Sequence, residues 1–111
     1  MKMRCEIAAK KILPSLRAIL SKIMYEELKM DENEIAEKLF LSQAAVSQYL
    51  KGKRAKYIEI IASEENILKA IKNSASFLSG RKVDKKVVEE ILCSLCKKIQ
   101  KSRIFQMLVK K

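Results

Sequence analysis

The chain has 111 residues, 49% of them apolar, and its 24 Lys and Arg against 13 Asp and Glu give a formal net charge of +11. That much apolar material can bury one packed core, but no apolar run exceeds three residues, which excludes a transmembrane helix. Three Cys and no His argue against a secreted disulfide framework, and two Gly and one Pro leave little to interrupt helices, so an all-α chain is expected.

The start, MKMRCEIAAKKIL, is basic, yet Lys10 and Lys11 interrupt any signal-peptide core, so a cytoplasmic protein is expected. Leu13, Leu16, Leu20, Ile23 and Met24 recur at helical spacing, with Pro14 near the first turn. This predicts a short helical lead-in and then a helix over roughly 14–28. Asp31 can cap the next helix, with Glu34 three residues on completing a capping box, and Ile35, Ala36 and Leu39 forming its apolar stripe. Ser42 can cap a second, reading over 42–51, in which Val46, Tyr49 and Leu50 share one side. Gly52 is a plausible C-cap. After Tyr57 the pattern resumes with Ile58, Ile60 and Ile61, then Ile67, Leu68, Ile71, Ala75 and Leu78 in a helix over roughly 64–79 that stops at Ser79-Gly80. Asp84 caps a last helix with Val87, Val88, Ile91, Leu92, Leu95 and Ile99, continuing towards Ile104, Met107 and Leu108. That long stripe either completes the monomer's core or pairs with a second copy. Pairing is favoured, since the two short capped helices either side of a tight turn over 31–51 have the form of a helix-turn-helix DNA reader, and such proteins usually bind as dimers. The expected division is a DNA-binding domain over 1–62 and a dimerisation segment over 63–111.

Residues 31–54 carry the functional signal. Two short helices meet at a turn of about three residues, Ala36 is small where they must cross, and the side of the second helix opposite its apolar stripe holds Gln43, Ala44, Ser47, Gln48 and Lys51. Gln can bond adenine through both N6 and N7, so this face can read base edges in a major groove. Lys51, Lys53, Arg54 and Lys56 follow with no acidic residue until Glu59, and with Ser42 they are the candidates for holding the phosphate backbone. An ordinary solvated helical hairpin would show the same caps, and Lys enrichment can serve ion-pair networks instead of ligands. The clustering of charge beside the reading helix favours double-stranded DNA as partner. Six aromatics, none doubled or set in a basic run, give little support for a single-strand or RNA platform.

The segment IAEKLFLSQAAVSQYLKGKR resembles the signature of archaeal predicted transcriptional regulators with a Cro/repressor-type (xenobiotic-response-element-type) helix-turn-helix, similar to the N-terminal domain of the archaeal thiamine-biosynthesis repressor. Cys5-Glu6, Leu13-Pro14 with Arg17, and Leu92-Cys93-x-x-Cys96-Lys97 also look like that group, although only the central block is specific. The resemblance implies a repressor-like fold in which Gln43, Ala44, Ser47 and Gln48 face bases while Lys53 and Arg54 hold the backbone. It implies no vitamin effector, because the ligand-binding domain of the thiamine repressor has no counterpart in this chain. Phe40 departs from the pattern, standing where such turns usually have Gly, at a position that often takes a positive φ. A slightly wider turn or a strained Phe40 is expected.

Cys93 and Cys96 lie three apart on one helical face, and Cys5 can join them only through the fold. Three thiolates fall one short of a closed tetrahedral zinc site. Core packing of the pair, without a cofactor, is therefore preferred over a redox switch and over a metal or iron–sulfur site. With no His, nucleophile motif, phosphate loop or paired carboxylates in an apolar setting, no enzyme is expected. A sequence-specific transcriptional regulator of repressor type is the leading reading. The alternatives are a non-specific architectural or chromatin protein using charge alone, and a helical adaptor or antitoxin that binds protein.

Overall fold

The computed structural model describes residues 8–52 and 57–109, and these are helical throughout, with no strand among them. A π-helical segment, Ala8–Ile12, runs directly into α1, Leu13–Glu26. Pro14, in the first turn of α1, cannot donate to the ladder, and a widened turn just before it is the accommodation expected there. The element then turns at Lys29, which has φ 59°.

α1 is buried far more completely than a one-faced stripe would suggest. Leu16, Ala18, Ile19, Leu20, Ile23 and Met24 all lie in the core, joined by Ser15 and Ser21. The small residues let neighbouring helices come close on several sides, and the other helices pack around α1. Ser15 Oγ donates to the Lys11 carbonyl at 3.0 Å, whereas buried Ser21 Oγ has no partner among the described residues.

α2, Glu32–Leu39, and α3, Gln43–Leu50, follow, with α3 packed most closely on α1 and α2. α4, Ile58–Ala62, is a short helix holding Ile61 in the core. It is separate from α5, Glu65–Ser79, whose Ile67, Ile71, Ala75 and Leu78 form the buried stripe anticipated from their spacing. α6, Lys85–Gln100, begins with the Asp84 carboxylate accepting from the Val87 N–H at 3.0 Å, and α7, Ile104–Val109, closes the chain's described part.

The C-terminal stripe packs inside the chain. Val88, Leu92, Leu95, Cys96 and Ile99 of α6 and Ile104, Phe105 and Leu108 of α7 belong to the same hydrophobic cluster as Leu16, Leu20, Ile35 and Val46. Met107, expected in the stripe, is exposed, and Phe105 takes the inward place. Residues on both sides of the expected boundary at 62 thus share one hydrophobic cluster. No helix among the described residues is long and apolar enough to cross a membrane.

Candidate nucleic-acid interface

The turn between α2 and α3 is built from local hydrogen bonds that its sequence specifies. The Glu34 N–H donates to the Asp31 carboxylate at 2.8 Å and the Asp31 N–H donates to the Glu34 carboxylate at 3.0 Å, forming a reciprocal capping box. Acid in this first turn also opposes the positive end of the α2 dipole favourably. At the other end Phe40 sits at φ 56°, ψ 45° in the left-handed region. The Leu41 N–H then reaches back to the Ala36 carbonyl at 2.9 Å, the longer closing bond of a Schellman-type stop.

Only residues 40–42 separate the two helices, so the turn is not widened, and Phe40 adopts the conformation usually given to Gly. Its ring is largely exposed, which spares it a clash with the core. Ser42 Oγ then accepts from the Ala45 N–H at 3.1 Å and starts α3. Ile35, Ala36 and Leu39 of α2 are buried, as are Val46 and Tyr49 of α3, with Leu50 half-buried. These are the positions whose spacing marked them as apolar faces.

The opposite side of α3 faces outward. Ser42, Gln43, Ala44 and Lys51 are exposed, and Ser47 and Gln48 are half-buried. Gln43, Ala44 and Ser47 lie along one ridge at one- and three-residue steps, and Gln48 stands one residue further round. The chain leaves α3 through Gly52 at φ 76°, whose N–H donates to the Tyr49 carbonyl at 3.0 Å. A positive φ here favours glycine. Lys53, Arg54 and Lys56, the remaining backbone-contact candidates, lie outside the described residues, as does Cys5.

Chemically, this ridge offers two carboxamides, each with donor and acceptor, a hydroxyl and a methyl group, flanked by an ammonium. It carries no acidic side chain, so a phosphate-lined groove meets no opposing charge there.

Two bracing contacts were not legible in the sequence. Lys11 Nζ donates to the Leu108 carbonyl at 2.7 Å and lies 5.7 Å from the Tyr57 ring centroid, tying the π-helical segment to α7 and to the residue that follows the basic stretch. Lys38 Nζ donates to the Arg81 carbonyl, and the Arg81 guanidinium stacks 4.1 Å from the Phe77 ring centroid, joining the end of α2 to the region after α5. Both depend on contacts between residues more than forty positions apart, where no local pattern can signal them.

The cysteine expectation is corrected in part. Cys96 is buried but Cys93 is exposed, so the two do not form a buried pair: the helix turns residue 93 off the apolar stripe. Burial pushes the Cys96 thiol above its ordinary value, opposed by the Gln100 side-chain N–H that donates to Sγ at 3.2 Å and aided by nearby Cys93. No group of three or more potential metal-binding side chains comes together among the described residues. The Lys-rich composition does not build an ion-pair network there either, the one pair being Lys72–Glu27 at 3.6 Å.

In comparisons with known proteins, no family model matches the chain, and no curated protein or solved structure matches it.

Proposed function

We infer that the chain is a sequence-specific regulator of transcription that lays α3 in the major groove of double-stranded DNA. The observation that carries this reading is the three-residue turn between two side-chain-capped helices, which leaves Gln43, Ala44, Ser47 and Gln48 on the open side of α3 beside Lys51. Gln43 and Gln48 read base edges, Ala44 offers a methyl contact to thymine, and Ser47 accepts or donates as the base requires. Ser42, Lys51, Lys53, Arg54 and Lys56 hold phosphates and set register. No cofactor is needed for this activity, and two copies on paired half-sites would supply a repressor's affinity.

Selection of bound fragments from random duplex DNA tests the reading. A defined sequence preference is expected, and Gln43→Ala or Gln48→Ala should each relax it at one base position while weakening the best site by about 1–3 kcal/mol. Equal recovery of all sequences would instead identify an architectural protein. Absence of salt-sensitive DNA binding would leave a protein adaptor.

A further inference from the structure

Beyond the reading helix, the geometry points to a second phosphate-binding surface at the corner between α6 and α7, formed by Lys97, Lys98, Lys101 and Arg103. It holds the backbone of the same DNA duplex outside the segment read by α3. This surface rests on the DNA-binding reading proposed above.

Charge order along α6 is the first observation. In its first half Lys85 and Lys86 stand four residues before Glu89 and Glu90, the spacing of a balanced, solvated helix face. From residue 91 to the end there is no acidic residue, while Lys97, Lys98, Lys101, Arg103, Lys110 and Lys111 are all basic. The four corner residues are exposed and none meets an acidic partner among the described residues.

Folding alone does not call for this concentration. Lys97 and Lys98 complement the carbonyl end of α6, where a cation modestly favours a helix. Arg103 directly precedes α7, where a cation opposes the helix dipole, and four like charges within seven residues repel one another. A polyanion relieves that repulsion.

Position is the third observation. α7 leads from the corner to Leu108, whose carbonyl binds Lys11 beside the Tyr57 ring. Tyr57 immediately follows the basic stretch that leaves α3, and α7 packs against α4, which begins at the next residue. The corner is thus one short helix away from Tyr57 and α4, the first described part of the chain after the reading helix α3.

The test is the salt dependence of duplex binding by the full chain, measured on a fixed duplex that the wild-type protein binds. Each phosphate contact contributes about 0.9 to the slope of log affinity against log salt. The variant Lys97→Gln/Lys98→Gln/Lys101→Gln/Arg103→Gln should reduce the slope by about two to four units, with its sequence preference and thermal melt retained. A four-charge control, Lys69→Gln/Lys72→Gln/Lys85→Gln/Lys86→Gln, should change it by less than about one unit. A corner variant whose slope stays within about one unit of wild type, or a control that loses as much as the corner variant, overturns the proposal while leaving α3 as the reader. Wild-type protein that binds no duplex removes both readings together.

Discussion

Phe40 shows how a single residue can meet a backbone demand that its side chain resists. A left-handed conformation costs an L-residue about 1–2 kcal/mol, and Gly avoids this at about 0.5–1 kcal/mol of extra chain entropy. Because Phe40 is 45% exposed, only part of its side chain packs to offset the strain. Phe40→Gly should therefore raise stability by up to about 1 kcal/mol, while Phe40→Val, β-branched and still in the left-handed region, should lower it. Urea midpoints of the three proteins check the order. The two helical cysteines make a second residue-scale contrast. In native reduced protein, peptide mapping after alkylation should find Cys93 modified and Cys96 protected, since one thiol is exposed and the other is buried. Because the folded Cys96 thiol titrates above its ordinary 9.0, its neutral form's contribution to stability is present below that pH and is lost as pH rises through the folded value. The stability difference between wild type and Cys96→Val should shift against wild type in that alkaline window.

At the scale of elements, what could be read from the sequence was what neighbouring residues decide among themselves. Asp31, Ser42 and Asp84 each satisfy an amide three residues on, so their helices start where short-range chemistry says they should. The open face of α3 was legible for the same reason: Val46 and Tyr49 fix which side turns inward. The partner of the α6 stripe was not legible, because an apolar face is the same whether it meets its own chain or another copy. The π-helical entry, the break between α4 and α5 and the Lys11 brace likewise depend on packing at a distance. Since Leu92, Ile99 and Leu108 join the cluster around Leu16, truncation before Val83 should remove the folded state, not yield a folded monomeric DNA reader. Loss of cooperative melting by circular dichroism is the expected result. A truncated chain that still melts cooperatively would show that α1 to α5 suffice.

The molecule measures 38 × 24 × 24 Å, and its charges are unevenly ordered along the chain. Glu26, Glu27, Asp31, Glu32, Glu34 and Glu37 place six of the 13 acidic residues around the end of α1 and in α2, whereas the tract beyond Glu90 is wholly basic among its charges. On the proposed DNA-reading function, an uneven charge distribution of this kind would favour one orientation on a phosphate surface before any base is read. Two copies reading half-sites one helical turn apart stand about 34–36 Å from centre to centre. Bodies 38 Å long meet at that distance when their long axes follow the duplex. Inverted repeats spaced by about 10 base pairs should therefore bind two copies cooperatively, and adding about 5 base pairs should abolish cooperativity by turning the second copy to the other side. Band-shift titrations on the two spacings give the answer.

One core shared by the seven described α-helices also bears on when the fold is completed as the chain is made. Domains fold as units, and here α3 is supported by α1, itself enclosed by helices that include α6. A nascent chain that has delivered α3 but not yet α6 and α7 holds the reading residues without the scaffold that presents them. On the proposed DNA-reading function, binding is then expected only once the C-terminal helices have been made, and truncated products are expected not to compete for the same sites. The helices farthest in sequence from α3 are thus a condition for the surface on which the proposed function depends.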